Sequence, residues 1–143
     1  VILDSEPALP STYKMDRNPL KKVLHELKSK DIQPSYIAGE GSGLPIENKL
    51  ETEAFEEYFK DVPKTSASPY FGMASGVIPF YNLALFCLLS KHNIVPGLPH
   101  NKESNYGKIL HGLVKQEDLE SILIGTVSAG GSAGALFAKK ADI

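Results

Sequence analysis

From Ala74 to Leu89 the chain carries Val77, Ile78, Phe80, Leu83, Leu85, Phe86, Leu88 and Leu89 with few polar breaks. A helix that is apolar nearly all round must be covered on most of its sides. Two coverings are available to such a segment, lipid or protein. Pro79, Asn82 and Ser90 interrupt the run, and its strictly apolar part falls short of the ~20 residues that a helix needs to cross a bilayer. The run therefore predicts a buried central helix rather than a membrane span, and Cys87 inside it reads as a buried thiol.

The flanking segments supply layers to pack against that helix. Tyr36-Ile37-Ala38 ahead of Gly39-Glu40-Gly41-Ser42-Gly43 predicts a buried strand ending in a tight glycine loop. Ser121 to Gly125 and Gly134 to Ala138, on either side of Gly130-Gly131, predict two strands joined by a hairpin turn. Asn18 as N-cap, Pro19 at the first helical position and Leu20, Val23, Leu24 and Leu27 at helical spacing predict a helix to about Lys30. A second, acidic helix runs from about Asn48 to Lys60, with Leu50, Ala54, Phe55, Tyr58 and Phe59 near one side and the acidic remainder toward water. Thr65 to Pro69 is small and polar, and 93–118 is a long irregular excursion in which a short strand is expected. Residues 1–17 read as an extended lead-in. The order predicts one α/β domain over 1–143: a mixed sheet with an antiparallel edge, the buried central helix and a C-terminal antiparallel hairpin.

Charge and cysteine content narrow the surroundings. The net charge is −2 with Lys and Arg scattered, which gives no footprint for nucleic acid or an anionic membrane. One cysteine forms no internal disulfide, so a reducing compartment, the cytoplasm, is expected. The first residues carry no basic and apolar leader pattern, and no lipidation motif stands out. The missing initiator Met is compatible with a processed chain, an artificial boundary or a piece of something longer.

No single motif builds a complete active site. Gly39 to Gly43 lacks the Lys-Ser/Thr ending of a phosphate-binding loop, and Glu40 would repel a phosphate, so it reads as a structural turn. Gly130 to Gly134 is followed by too little chain for a βαβ unit. His25, His92, His100 and His111 have no companions at metal-ligand spacing and read as surface histidines. The Glu51, Glu53, Glu56 and Glu57 cluster reads as a solvated helix face. No metal and no cofactor are expected.

Three separated segments, taken in order, resemble the C-terminal half of β-ketoacyl-acyl carrier protein synthases, a branch of the thiolase fold. Tyr36 to Pro45, with Asn48 and Glu51 following, is similar to that family's Ala-His-Gly-Thr-x-Thr-Pro-x-x-Asp-x-x-Glu segment. Lys64 to Tyr70, then Ala74-Ser75-Gly76-Val77 and the apolar run to Val95-Pro96, resembles its Lys-Ser-x-x-Gly-His segment and the helix beyond. Thr126 to Ala133 is similar to its closing Ser-Phe-Gly-Phe-Gly-Gly-Thr-Asn hairpin. The likeness covers about residues 20–140 and implies a thiolase-like half.

The departures from that pattern carry the functional implication. In the family two histidines serve decarboxylation and condensation, and a cysteine in the other half holds the acyl chain. Here Glu40 stands at the first histidine position, Tyr70 aligns best with the second, Thr65 or a shifted Lys64 with the lysine, Ala129 with the gating Phe and Ala133 with the closing Asn. A carboxylate cannot donate to a developing oxyanion, and one tyrosine does not duplicate two imidazoles. The resemblance thus implies a degenerate, chain-length-factor-like subunit in polyketide or fatty-acid assembly, with Glu40, Tyr70 and Thr65 at former catalytic positions and Ser42, Ala129, Gly130 and Gly131 against substrate. It implies a cysteine-bearing ketosynthase N-terminal half or an active ketosynthase subunit as partner, an acyl carrier protein, and a homo- or hetero-oligomer. The alternative is an acyl-thioester transferase or hydrolase that uses Glu40 and Tyr70 as an acid/base pair.

Overall fold

A strand of four residues, all of them buried, organises the molecule. Tyr36–Gly39 (β2) is an uninterrupted apolar run, Tyr-Ile-Ala-Gly, and both of its faces are apolar, the pattern of a strand covered on two sides. The computed structural model describes residues 2–6, 18–72, 74, 76–99 and 108–141. In it β2 pairs in parallel with Lys64–Ser66 (β3) on one flank and with Ser121–Val127 (β6) on the other. Strand β6 continues antiparallel into Ala133–Lys139 (β7), the expected hairpin. Ile2–Glu6 (β1) adds an outer antiparallel strand on β7, with Ile2 opposite Phe137 and Glu6 opposite Ala133. The sheet is therefore mixed, in the order β1-β7-β6-β2-β3. The rest of the lead-in, 7–17, lies outside the described residues, as do Ser75, His100 and Gly107.

Two helices cover one face. Pro19–Lys28 (α1) begins at Asn18, whose side-chain oxygen accepts from the Leu20 N–H at 3.1 Å, satisfying one of the free donors of the first turn. The Asn18 amide also donates to the Leu50 carbonyl at 2.6 Å, tying the start of this helix to the next. Pro45–Phe59 (α2) starts three residues earlier than the sequence suggests, because Pro45 is itself suited to the first turn. Leu20, Val23, Leu24 and Leu27 from α1 and Leu50, Ala54, Phe55 and Phe59 from α2 pack with Ile37, Leu123, Val127 and Ala135 from the sheet. Glu57 faces water on α2, 2.6 Å from Lys21 of α1.

The opposite face carries Tyr36, Ala38, Ile122, Ile124 and Ala138. It is covered by Ile78–Leu89 (α4) and by Ile94–Pro96 (β4), which pairs antiparallel with the more exposed Leu113–Lys115 (β5). The expected hidden strand in the excursion is thus a pair. Ser68–Phe71 (α3) is a single turn between β3 and α4. Strand β3 escaped sequence reading because three polar residues show no periodicity, and its outer edge is closed by backbone bonds from Lys64 N–H to the Lys108 carbonyl and from Leu110 N–H to the Lys64 carbonyl.

The apolar helix differs from expectation in two respects. It begins at Ile78 rather than Ala74, and it buries a single stripe, Ile78, Asn82 and Phe86, against the sheet. Cys87 is exposed, which corrects its reading as a core thiol; it lies next to Phe86 on the ring, and only one arc of the helix meets the sheet. Asn82 is no mere interruption of the run. Only 3 % exposed, its side chain accepts from the Ala67 N–H at 2.9 Å and donates to the Gly39 carbonyl at 3.0 Å, linking the ends of β2 and β3. Replacing Asn82 by Leu leaves both backbone groups unpaired in the interior, so Asn82→Leu is expected to lower stability by about 1–3 kcal/mol in urea unfolding.

Candidate functional site

Parallel strands bring their carboxyl ends to one side of the sheet, where loops rather than side chains continue the chain. Here the loop after β2 meets Glu51 and the turn after β6 meets Glu47, both on α2, while Ser66 and Ser68 tie the end of β3 to the β2 loop. Glu40 follows β2 directly and is buried, and its carboxylate accepts from the Thr126 hydroxyl near the end of β6. The Glu40 carbonyl accepts from the Ser66 hydroxyl at 3.0 Å, and the Gly41 carbonyl accepts from the Ser68 hydroxyl at 2.7 Å. Gly41 has φ of +58°, and a Cβ there would stand 2.7 Å from Ser66 Oγ and 2.8 Å from Ser68 Oγ, so no other residue fits this loop unchanged. Ser42 turns its hydroxyl oxygen back to the Leu44 N–H at 3.2 Å, closing the approach to α2.

Glu51 reaches this loop from the side of α2. Its carboxylate accepts from the N–H of Glu40 at 2.6 Å and of Gly41 at 3.3 Å, and it lies so close over Gly39 that a Cβ there would sit 2.5 Å from Oε2. The sequence reading placed Glu51 on a solvated acidic face; the structure turns it inward, because its position on α2 faces the β2 loop while Glu53 and Glu57 face water. Burial pushes its carboxyl up to about 7; the two backbone hydrogen bonds oppose the rise, and the neighbouring Glu40 and Glu47 add to it. Glu56 takes another course and pairs with Lys64 at 3.0 Å.

Lys64 and the two hydroxyl positions are anchored elsewhere. The Lys64 ammonium donates to the carbonyls of Lys60 at 3.0 Å, Val62 at 3.1 Å and Phe59 at 3.3 Å, capping the end of α2. Thr65, buried on β3, donates to the Pro96 carbonyl, and Tyr70, on α3, donates to the next one, that of Gly97. Thr65 and Tyr70 therefore hold the exit of β4 together, while Glu40 engages β6. The hydrogen bonds do not join Glu40 to Tyr70. In the β6–β7 turn, Ala129 is exposed and its N–H donates to Glu47 of α2 at 2.8 Å. Gly130 N–H donates to the Ser128 hydroxyl at 3.0 Å, and Gly131 N–H to the Ser128 carbonyl at 2.9 Å. Sequence reasoning missed Ser66, Ser68, Asn82, Thr126 and Glu47; short polar residues at strand ends carry no periodic signal.

A cavity of 540 Å³ opens beside this junction, between α2, β3 and the glycine loop. Phe55, Pro45, Pro69, Leu98 and Ile109 form its apolar walls, and Glu51, Asn48, Thr65 and Ser66 contribute polar groups. His25 and His92 are exposed, as expected, whereas His111 is half-buried with Nδ1 shielded from water. Among the described residues no three His, Cys, Asp or Glu side chains converge as a metal site would require, and no helix is long and apolar enough to cross a membrane.

No sequence-family model and no curated protein matches the chain. Solved structures do. The ishigamide ketosynthase/chain length factor superposes with a TM-score of 0.80 at 12% identity, over 97% of this chain and 37% of that one. An oxazolomycin ketosynthase domain from Streptomyces albus JA3453 gives 0.78 at 16% identity, over 97% and 29%. A type II polyketide synthase acyl-carrier protein in complex with its ketosynthase gives 0.74 at 16% identity, over 98% and 38%. The chain has the fold of a ketosynthase-like half, a mixed thiolase-like α/β sheet with its antiparallel hairpin, and spans about a third of the length of the structures it matches.

The Glu51 carboxyl gives this junction a pH signature. In the fold it keeps its proton up to about 7, against 4.5 when freed, so the folded chain binds the extra proton between those values. The contribution to stability is complete below 4.5 and is lost as pH rises to 7, with a slope of at most about 1.4 kcal/mol per pH unit. Urea midpoints measured from pH 4 to 8 are expected to show this decline, and Glu51→Gln to remove it.

Proposed function

We propose that the chain acts in polyketide or fatty-acid chain assembly as a ketosynthase-like subunit resembling a chain length factor. It packs against a cysteine-bearing ketosynthase half or an active ketosynthase, receives chains from an acyl carrier protein in the cytoplasm, and shapes an acyl pocket without running the condensation itself. The observation that carries this reading is the outer side of α3 and α4. Phe80 is 69 % exposed, Leu88 65 % and Phe71 54 %, and Val77, Tyr81 and Cys87 lie open beside them. Contiguous apolar surface of this kind belongs to interaction sites rather than to free monomer surface, and it occupies the one helix whose sequence asked for cover on all sides.

The polar junction supports the second part of the proposal. Glu40 offers a carboxylate engaged by Thr126, and Thr65 and Tyr70 direct their hydroxyl hydrogens into backbone carbonyls. None of the three is arranged to donate to a developing oxyanion. Ser42, Ala129, Gly130 and Gly131 then serve as walls for substrate, with the small Ala129 leaving room at the turn where the resembling family has a larger gate.

Native mass spectrometry of the protein purified from its own cells tests the association. Recovery with a ketosynthase or a cysteine-bearing half is expected, with Cys87 protected from alkylation in that complex; a stable lone monomer with a freely alkylated Cys87 would sink the reading. Phe80→Asp is expected to weaken the complex about ten-fold or more, since buried aromatic anchors dominate such interfaces. In the reconstituted complex, Ala129→Phe is expected to shorten product chains, read by product mass. Unchanged chain length would remove Ala129 from the pocket.

A further inference from the structure

The exposed apolar face and the polar junction are joined by one piece of chain. Among the described residues, Asn82 is the only α4 side chain that hydrogen-bonds to the strands and their ends, donating to the Gly39 carbonyl at 3.0 Å and accepting from the Ala67 N–H at 2.9 Å. Ala67 leads into α3, where the Ser68 hydroxyl donates to the Gly41 carbonyl at 2.7 Å and the Tyr70 hydroxyl to the Gly97 carbonyl. The carbonyls on both sides of Glu40 are thus gripped from α3 and α4. Between these two helices the backbone runs through Gly72 and Gly76, at φ of +77° and +76°, a region that glycine enters without steric cost. A ring contact spans this joint: Phe71 of α3 lies 4.9 Å from Tyr81 of α4, tilted by 38°. Both rings belong to the exposed face.

We propose that α3 and α4 form a clamp through which association on their outer face sets the geometry of the Glu40 loop. The proposal rests on the subunit reading and adds to it what docking does. An aromatic pair open to water is a weak tie, so in the free chain the angle between α3 and α4 is loosely held. The seat of α4 on the sheet is narrow as well, a single stripe of Ile78, Asn82 and Phe86. A partner that covers Phe71, Phe80 and Tyr81 excludes water from the ring pair and fixes that angle. Tyr81 and Asn82 are neighbours on the helix, one on the open face and the other against the strands. A fixed α4 therefore keeps both Asn82 bonds aligned, and a fixed α3 keeps those of Ser68 and Tyr70. Hydrogen bonds weaken steeply once bent, so a small adjustment of either helix is felt at Gly39 and Gly41.

Amide hydrogen exchange, read residue by residue on the free chain and on the complex purified from the protein's own cells, tests the clamp. The reporters are the N–H groups of Glu40 and Gly41, which donate to Glu51 of α2, the helix on the face opposite α4. Association is expected to slow their exchange about ten-fold, an ordinary size for coupling between two sites. Asn82→Ala and Ser68→Ala each cut a tie from clamp to loop and leave the outer face intact. Both variants are expected to form the complex with an affinity within about three-fold of the parent's and to lose most of the slowing. Ser68→Ala decides alone where Asn82→Ala does not fold. Exchange at Glu40 and Gly41 that is the same in complex and free chain overturns the clamp and leaves the subunit reading standing, and so does full slowing in the variants. A lone monomer overturns the two together.

Discussion

The structure depends on a strand of four residues that has no exposed side. Because β2 is covered by α1 and α2 on one face and by α4 and β4 on the other, its backbone groups must all be paired within the sheet. That requirement fixes β6 and β3 beside it in parallel, and parallel pairing sends all three chains out at the same end. The junction of loops, helix start and hairpin turn follows from this one constraint.

What happens at that end is a matter of polar groups that water cannot reach. Backbone groups released by the strands find side-chain partners: Ser66 and Ser68 serve the carbonyls of Glu40 and Gly41, Glu51 their N–H groups, and Asn82 reaches across from α4 to bind one group at the end of each of β2 and β3. Burial of Glu51 among these groups raises its carboxyl to about 7.

The two faces of the sheet are finished differently. Helices α1 and α2 are amphipathic, and their outer sides are charged, as the Lys21–Glu57 pair shows. Helix α4 meets the sheet through one stripe and presents Phe80 and Leu88 outward. Hydrophobic burial stabilises roughly in proportion to the apolar area removed from water, so an uncovered apolar arc represents stabilisation that this chain alone does not collect.

The sequence by itself determined the elements that repeat or are capped. Leu20, Val23, Leu24 and Leu27 spell out α1, short apolar runs mark β2 and β6, and the paired glycines mark the hairpin, because each depends on local pattern or backbone freedom. The ketosynthase-like half was legible through the order of three short segments. Only the tertiary structure decided the rest. Strand β3 exists because β2 and residues 108–110 offer it partners, Glu51 turns inward because a loop 11 residues upstream presents free N–H groups to it, and Cys87 is open because α4 meets a single surface. Those outcomes hinge on which groups distant in the chain are brought within hydrogen-bonding reach or shielded from water, and no local pattern of residues encodes that.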